Sequence, residues 1–344
     1  MPNFKSPSVL ITGGAGFIGS HLAEALLAKD YNVTIIDDLS TGRFENIAPL
    51  TDHPNFRFVI DTITNEGVMD RLVSECDMIY HLAAAVGVML IVEQPVHTIQ
   101  TNIAGTEVVY KTALRYKTKV LVASTSEVYG KGNTIPFRED DDVVLGPTSR
   151  SRWSYAVSKM VDEFLGLAYY REKGLPVVVF RLFNTVGPRQ TGRYGMVIPR
   201  FVQQALDGEE ITVYGDGSQT RCFLHVRDAV SAIIALSESS EADGRVFNIG
   251  DTQEISILNL ARKIVSMAAP EEKKYDDPDD RITFVPYDQA YAEGFEDMHR
   301  RVPDVSRIYD TVGWESDCQL DNILNDVIFD IKETSEGQIA VPVK

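Results

Sequence analysis

The sequence of 344 residues predicts an α/β protein in which a doubly wound parallel sheet carries a smaller C-terminal α/β lobe. Up to about residue 184, apolar runs typical of strands alternate with stretches of helical periodicity. A glycine-rich turn follows the first of these runs, and after residue 185 turn signals interrupt shorter elements. The predicted strands lie near residues 8–11, 33–37, 56–60, 78–82, 119–124 and 176–184.

The first turn carries the pattern G-x-G-x-x-G at Gly14, Gly16 and Gly19. The first glycine allows a tight turn, the second lets backbone amides approach a pyrophosphate, and the third lets the following helix pack close to the strand. Because the pattern stands between a strand and a helix, it predicts a Rossmann-type dinucleotide site rather than an ordinary turn. The residues expected to line the cofactor here are Gly13, Gly16, Phe17, Ile18 and Gly19.

Acidic residues at the ends of the next strands indicate which dinucleotide binds. Asp37 lies 18 residues beyond Gly19, where its carboxylate can accept hydrogen bonds from the adenosine ribose. A 2'-phosphate would be repelled there, so the sequence favours NAD over NADP. Asp38, Leu82, Tyr155 and Lys159 are expected beside the same cofactor. Asp61 follows the third strand and either reaches the adenine or caps a helix, two interpretations of equal weight.

The chain is expected to divide into two lobes. Residues 1–184 form the predicted NAD-binding Rossmann domain, and residues 185–335 form the substrate-binding lobe. A helix near 228–237 and a strand near 246–249 are expected to return residues 225–250 to the first lobe. The acidic stretch 271–280 is expected to be a solvated loop.

Composition excludes several classes of function. The chain has 33 basic and 50 acidic residues, a formal charge of −17 that disfavours nucleic-acid binding. No apolar signal core and no run of roughly 18 apolar residues is present, which predicts a cytoplasmic protein away from membranes. The three cysteines are expected to be reduced thiols, and the six scattered histidines predict no metal site.

The candidate catalytic residues lie on a helix and at the end of the fifth strand. Tyr155 and Lys159 are one helical turn apart, so that an ammonium group can favour the phenolate of a tyrosine base. Thr125 can bind a reacting hydroxyl, and Ser126 with Glu127 adds an acid–base pair. The alternatives are a surface helix pair for Tyr155 and Lys159, and a turn-stabilising role for Glu127.

These residues belong to a longer series of motifs. T-G-G-x-G-x-x-G at 12–19, S-T-S-E-V-Y-G at 124–130, Y-x-x-x-K at 155–159, R-L-F-N-T-V-G-P-R at 181–189 and V-Y-G-D-G-S-Q-T-R at 213–221 occur in this order. The chain therefore resembles the extended short-chain dehydrogenase/reductase family that modifies nucleotide sugars. The resemblance implies that Asn184, Arg200 and Arg221 hold the nucleotide diphosphate, that Arg189 lies near the sugar, and that Tyr214 lines the base pocket.

The resemblance also implies a homodimer built through two helices, near 103–115 and 155–171. Met160, Phe164, Leu167 and Ala168 have the helical spacing of such an interface. From the sequence alone they are equally well explained as ordinary core.

Within the family, the motif at 124–130 is most similar to UDP-glucuronate decarboxylases, and so are R-W-S-Y at 152–155 and the segment 293–304. By this resemblance Arg301 acts on the substrate. Oxidation at C4 turns the sugar carboxylate into a β-keto acid that loses carbon dioxide, with Arg301 and Glu127 handling the carboxylate and the proton delivered to C5. One departure is the apolar stretch 86–95, where Ile91 stands about where these decarboxylases present a tyrosine.

Three alternatives stay open at this point. A 4,6-dehydratase would use Glu127 to remove the C5 proton, and a 4-epimerase would need only Thr125, Tyr155 and Lys159. A noncatalytic NAD-binding protein is disfavoured because the tyrosine–lysine pair and the threonine are intact.

Overall fold

The computed structural model describes residues 6–87, 94–132, 134–192, 196–268, 277–290 and 298–339. Its strands are β1 (Ser8–Thr12), β2 (Asn32–Asp37), β3 (Phe56–Ile60), β4 (Met78–His81), β5 (Lys119–Thr125), β6 (Val177–Leu182), β7 (Thr185–Val186), β8 (Ile211–Tyr214), β9 (Thr220–Cys222), β10 (Leu224–His225), β11 (Arg245–Ile249), β12 (Glu254–Ser256) and β13 (Ile282–Val285). Its α-helices are α1 (Phe17–Leu27), α2 (Glu66–Ser74), α3 (Pro95–Tyr116), α4 (Ser154–Lys173), α5 (Val197–Leu206), α6 (Val226–Glu238), α7 (Ile257–Ala268), α8 (Tyr287–Ala290), α9 (Ser306–Val312) and α10 (Leu320–Ile339).

Seven strands form one parallel sheet in the order β11-β6-β5-β4-β1-β2-β3. The order reverses at β1, which places a crevice at the carboxyl ends of the strands beside it. The predicted α/β fold with a Rossmann-type sheet is confirmed, and all six predicted strands are present.

Alternating side chains of the sheet face two separate helical layers, as the pleat of a strand requires. Val9 and Ile11 of β1 pack in a core with residues of α1 and α6. Leu10, between them, packs in the opposite core with residues of α2 and α3. All three side chains are at most 2% exposed, so the glycine turn that follows β1 starts from a strand fixed on both faces.

A further apolar cluster lies outside the sheet. It joins α5, β8, α7 and α10, with Phe201, Leu260 and Leu324 fully buried at its centre. Small two-stranded pairings, β7 with β10, β9 with β12 and β8 with β13, lie in the same part of the chain. This separate core supports a second lobe, although the limits at residues 184 and 185 stay a prediction.

Two segments that follow residue 185 pack on the first lobe. Strand β11 pairs with β6 at the edge of the main sheet, where the sequence led us to expect it. The segment around α9 does the same, because Ile308 and Trp314 lie in the sheet core and the Trp314 indole donates to Ser231 Oγ at 2.9 Å. The sequence had grouped residues up to 335 with the second lobe. Among the described residues, no helix combines the length and apolarity needed to cross a membrane.

Candidate active site

A cleft of about 750 Å³ runs along the carboxyl ends of the strands and continues between the sheet and the second core. Every sequence-predicted site residue except Lys159 lines it. From the cofactor set these are Gly13, Gly16, Phe17, Ile18, Gly19, Asp37, Asp38, Asp61, Leu82 and Tyr155; from the other sets, Thr125, Ser126, Glu127, Asn184, Arg189, Arg200, Tyr214, Arg221 and Arg301.

The glycine turn is held by close backbone contacts. Gly13 has φ +70°, and a Cβ there would stand 2.8 Å from the backbone nitrogen of Ala83. The left-handed position of the turn is therefore Gly13, which corrects the expectation that Gly14 makes the tight turn. A side chain at Gly14 would instead overlap Ile35, and one at Gly19 would overlap the carbonyl oxygen of Gly13. Helix α1 can approach the strand only because these positions lack side chains.

The carboxylate of Asp37 closes the turn from the side. Its oxygens accept the backbone amides of Ala15 at 3.0 Å and Leu39 at 2.9 Å. Burial raises the pKa of Asp37, and these two hydrogen bonds oppose the rise. Asp38 is exposed and accepts the amide of Ser40 at 3.0 Å.

Asp61 supports a helix without capping it. It accepts the side-chain amide of Asn65 at 3.2 Å, and Asn65 in turn caps α2 by accepting the amide of Val68 at 3.3 Å. The cap that the sequence allowed for Asp61 therefore belongs to Asn65. Asp61 still lines the cleft, so the expected contact with adenine stays a prediction.

Tyr155 and Lys159 lie one turn apart on α4, both at most 8% exposed. Burial raises the pKa of Tyr155, as do the carboxylates of Glu127 and Asp162, while a hydrogen bond with the Thr125 side chain opposes the rise. The phenolate that we expected from the sequence is thus not favoured by the protein groups around it. Lys159 donates to Asp162 Oδ2 at 2.6 Å and does not line the cleft.

Glu127 lies between two guanidinium groups. Arg152 Nη1 donates to Glu127 Oε2, and Arg301 Nη1 donates to Oε1 at 3.1 Å. Arg301 Nη1 is also 3.4 Å from Ser126 Oγ. Burial alone would raise the pKa of Glu127, but Arg301 and Arg152 lower it to about 2. Glu127 is therefore a fixed anion at neutral pH. The turn after β5 also positions Thr125, whose hydroxyl accepts a hydrogen bond from the Glu127 amide at 3.2 Å.

The far end of the cleft carries the other predicted arginines. The Arg200 guanidinium lies 4.2 Å from the ring centroid of Tyr214, a cation–π contact that lines the wall of the cleft. Arg221 Nη1 donates to the Thr220 carbonyl at 2.7 Å. Asn184 Nδ2 donates to the Cys222 carbonyl at 2.9 Å, which holds the end of β6 against β9.

Arg189 lines the cleft, and its place near the sugar, which the resemblance implies, stays a prediction. Its guanidinium donates to Glu24 Oε1 at 2.6 Å and to Ser20 Oγ at 3.2 Å, both on α1. Its own amide donates to Asp330 Oδ2 at 2.9 Å. Arg189 therefore ties the helix of the glycine turn to α10, and its described contacts are not with the catalytic group.

Two residues of this site were missed from the sequence. Arg152 stands in the motif R-W-S-Y, but one arginine before a helix looks the same whether it faces solvent or a buried carboxylate. Asp162 is fully buried and pairs with Lys159. It stands three residues after Lys159 on the same helix, and this spacing was the sequence signal that could have predicted the pair.

Some expectations fall outside the described residues. These are Ile91 with most of the apolar stretch 86–95, most of the acidic stretch 271–280, and the start of the segment 293–304. Among the residues that the structure describes, no group of three or more His, Cys, Asp or Glu side chains could hold a metal ion.

Comparison with known proteins agrees with this geometry. The sequence profile of the family described as GDP-mannose 4,6 dehydratase matches residues 10–327. The chain belongs to this NAD-dependent epimerase/dehydratase family. It is 44% identical over 313 residues to a UDP-N-acetyl-alpha-D-glucosaminuronate decarboxylase of Bacillus cytotoxicus, covering 89% of this chain and 94% of that protein.

Other relatives extend the comparison. A UDP-glucuronic acid decarboxylase 1 of Xenopus tropicalis is 36% identical, with 96% of this chain and 73% of that protein covered. A dTDP-glucose 4,6-dehydratase of Bacillus anthracis, solved in complex with NAD, superimposes with a TM-score of 0.82 at 27% identity, covering 96% of this chain and 98% of that chain. The protein is thus an NAD-dependent enzyme that acts on nucleotide sugars, as the sequence led us to expect.

The residues present fit NAD. Gly13, Gly16 and Gly19 line the cleft at the start of α1, where backbone amides without side chains over them can approach a pyrophosphate. Gly16 caps α1 without a side-chain hydrogen bond, so no side chain of its own occupies the helix N-terminus. The carboxylate of Asp37 stands where a 2'-phosphate would be repelled.

Proposed function

We propose that the enzyme decarboxylates a UDP-linked hexuronic acid through a 4-keto intermediate. The observation that carries this proposal is the cluster of Glu127, Arg152 and Arg301 beside Tyr155. Two guanidinium groups and one carboxylate leave a net positive charge at this end of the cleft, although the whole chain is acidic. The carboxylate of a uronic acid has the charge and the planar geometry to complete such a cluster.

The reaction follows from the roles of these groups. NAD, which the glycine turn and Asp37 would hold, would supply the hydride acceptor for C4 of the sugar. Tyr155 takes the proton of the C4 hydroxyl as a phenolate, the form that the positive nicotinamide ring of bound NAD would favour, and Thr125 holds the oxygen from which the proton leaves. With a ketone at C4, the carboxylate on C5 is a β-keto acid, and the C5–C6 bond breaks with release of carbon dioxide. The electron pair of that bond moves to the C4 oxygen, where Tyr155 and Thr125 stabilise the developing charge.

Arg152 and Arg301 hold the carboxylate before it leaves, while ionised Glu127 fixes both guanidinium groups. C5 then takes a proton from solvent that enters the cleft, and Glu127 and Arg301 line the end of the cleft at which this proton is delivered. The product is a UDP-pentose, or its 4-keto form if the hydride is not returned.

The state of Glu127 weighs against the two other reactions of the family. A 4,6-dehydratase would require Glu127 to remove the C5 proton, but a carboxylate whose pKa is about 2 is a weak base. A 4-epimerase would leave the cluster of one glutamate and two arginines without a chemical task. Burying such a cluster is costly unless it serves binding or catalysis.

The choice of uridine and uronic acid is supported by the names of the relatives that cover most of this chain. These names differ in the substituent at C2 of the sugar, an acetamido group in one case and a hydroxyl in the other. Both UDP-N-acetylglucosaminuronate and UDP-glucuronate are therefore the substrates to compare. For the sugar nucleotide we assign Asn184, Arg200 and Arg221 to the diphosphate and Tyr214 to the base.

The first experiment is incubation of the purified protein with NAD and each UDP-uronate, followed by mass spectrometry and proton NMR of the sugar nucleotide. Loss of carbon dioxide is the expected result. An unchanged mass with an inverted C4 signal would instead establish epimerisation, and loss of water from UDP-glucose, dTDP-glucose or GDP-mannose would establish a dehydratase.

The tyrosine variant tests the base. Tyr155→Phe is expected to lower kcat by about 100-fold to 10,000-fold, the usual worth of a positioned acid–base group. NAD binding should be preserved, because only a hydroxyl is removed. Turnover by Tyr155→Phe at the rate of the wild type would remove Tyr155 from the mechanism.

We also propose a homodimer through α3 and α4. Apolar side chains exposed on these two packed helices are Val96 and Ile99 on the first, and Val157, Val161 and Phe164 on the second. Phe164 is 66% exposed, whereas Met160 and Leu167 pack inward, so only part of the interface expected from the sequence is available. Light scattering should find a dimer that Phe164→Glu weakens; a monomeric wild type would contradict the proposal.

A cytoplasmic location stays a prediction, supported by three free cysteines.

A further inference from the structure

The most deeply buried charge pair near the active site joins Lys159 to Asp162. The Nζ of Lys159 lies 2.6 Å from Asp162 Oδ2, and the two side chains are 3% and 1% exposed. Such a pair is retained at a cost, because two charges removed from water lose their hydration. Neither residue lines the cleft, whereas Tyr155, one turn earlier on the same helix, does.

The surroundings of this pair make Asp162 its single close counter-charge within the described contacts. From β4, His81 faces Lys159, and burial with the nearby ammonium lowers the pKa of His81 to about 3, so that it is neutral. From α3, the Thr106 hydroxyl bonds His81 Nε2 at 2.9 Å and favours the charged form of Asp162. Burial and the neighbouring carboxylate of Glu163 raise the pKa of Asp162, and the Lys159 ammonium opposes that rise.

The remaining charges near Tyr155 come from the catalytic cluster. Glu127 raises the pKa of the phenol and Arg152 lowers it, while Asp162 acts in the same direction as Glu127. Asp162 therefore has two effects at once. It fixes the ammonium of Lys159 behind the tyrosine, and it cancels much of the positive charge that would favour the phenolate.

We propose that Asp162 is a positioning residue that anchors the Lys159 ammonium and offsets its charge at Tyr155 and at the nicotinamide end of the cofactor site. The inference rests on the proposed function, because it takes Tyr155 as the base. It adds a residue that neither the motif Y-x-x-x-K nor the cleft lining contains. An uncompensated ammonium would repel the positive ring of oxidised NAD more than the neutral ring of NADH.

The first test needs no sugar substrate. Asp162→Asn keeps the shape of the side chain and removes its charge. Calorimetric titration of the purified protein with NAD and with NADH should show weaker binding of NAD relative to NADH, on the order of three- to tenfold in the ratio of dissociation constants. An unchanged ratio in a folded variant would overturn the inference, whatever the substrate of the enzyme is.

The second test is the pH dependence of turnover. Because loss of the Asp162 carboxylate lowers the pKa of Tyr155, the acid limb of the kcat/KM profile should move to lower pH by about half a unit to one unit. A merely structural role would reduce stability and leave the limb in place. Asp162→Glu, which keeps the charge, is expected to return the profile toward that of the wild type.

The matched control is Glu163→Gln, a change in the adjacent buried carboxylate of α4. Glu163 accepts hydrogen bonds from Ser124 and Arg181, whereas the side chains that chiefly shift the pKa of Tyr155 are Glu127, Asp162, Thr125 and Arg152. Glu163→Gln should lower the melting temperature. It should change neither the ratio of the NAD and NADH dissociation constants nor the acid limb of the kcat/KM profile. If Asp162→Asn does not fold, Asp162→Ser gives the same comparison, and an unchanged cofactor ratio there would equally count against the proposal.

Discussion

At one end of the cleft the walls are backbone and glycine, whereas at the other end they are charged side chains from three distant segments. The hydrogen bonds that join the dinucleotide turn to the end of β2 connect residues close in sequence, and a further contact, between Gly13 and the Ala83 backbone, comes from the segment after β4. The catalytic cluster joins Glu127 after β5, Arg152 before α4 and Arg301 before α9. The shape of the cofactor end therefore depends mainly on contacts within one part of the sequence. The charge of the catalytic end depends on segments that only the complete fold brings together.

The largest expected effect breaks the charged end. Arg301→Met removes one partner of a buried ion pair while it keeps an unbranched side chain. We expect kcat/KM for the UDP-uronate to fall on the order of 100-fold or more, because losing a buried, hydrogen-bonded partner costs about 2–5 kcal/mol. NAD affinity should be unchanged, because the glycine turn lies at the other end.

The neighbouring arginine provides the control for this change. Arg300 pairs with Glu254 with half of its side chain exposed, and pairs of this kind contribute little. Arg300→Met should therefore retain activity within a few-fold. Equal losses in both variants would show that the segment as a whole, rather than the guanidinium of Arg301, is required.

A smaller effect is expected at the backbone end. Gly19→Ala places a methyl group against the Gly13 carbonyl, so α1 must move away from the turn. Overpacking of this kind costs roughly 1–3 kcal/mol, which we expect to appear as weaker NAD binding in calorimetry and a lower Tm. kcat at saturating NAD should change less than for Arg301→Met.

Gly67→Ala sharpens that test, because Gly67 lies in α2 with its nearest neighbour at 3.7 Å. There alanine should stabilise the protein by about 0.5–1 kcal/mol, since it is the better helix former. A loss of NAD affinity in Gly67→Ala as large as in Gly19→Ala would refute the steric explanation.

The last test uses pH at the charged end. The pKa of Glu127 is lowered from 4.5 to about 2, so its pairing contributes stability above pH 4.5 that is lost as the pH falls toward 2. The difference in unfolding free energy between wild type and Glu127→Gln, on the order of 3 kcal/mol near neutral pH, should shrink steadily below pH 4.5. Urea unfolding at several pH values measures it, and a difference independent of pH would mean that Glu127 is not ionised in the pair.

The same contrast explains what the sequence could predict. The strands and the glycine turn follow from local periodicity and spacing, although the spacing led us to expect the tight turn at Gly14 when φ is positive at Gly13. The contact between Arg152 and Glu127 spans 25 residues and that between Arg301 and Glu127 spans 174, and no local pattern encodes either. Whether an arginine faces water or a carboxylate is decided by tertiary packing. Lys159 illustrates the same limit, since its partner Asp162 is near in sequence but its burial depends on β4 and α3.

The position of Arg301 bears on the order in which the enzyme becomes competent during synthesis. The turn that receives NAD is encoded before residue 40, whereas Arg301 lies far later in the chain, next to the isolated bridge between Phe137 and Pro303 that joins its segment to the first lobe. Because N-terminal parts of a chain emerge first from the ribosome, a nascent chain can acquire a cofactor site long before it can bind a uronate. Arg301 is therefore synthesised after every other residue of the catalytic cluster.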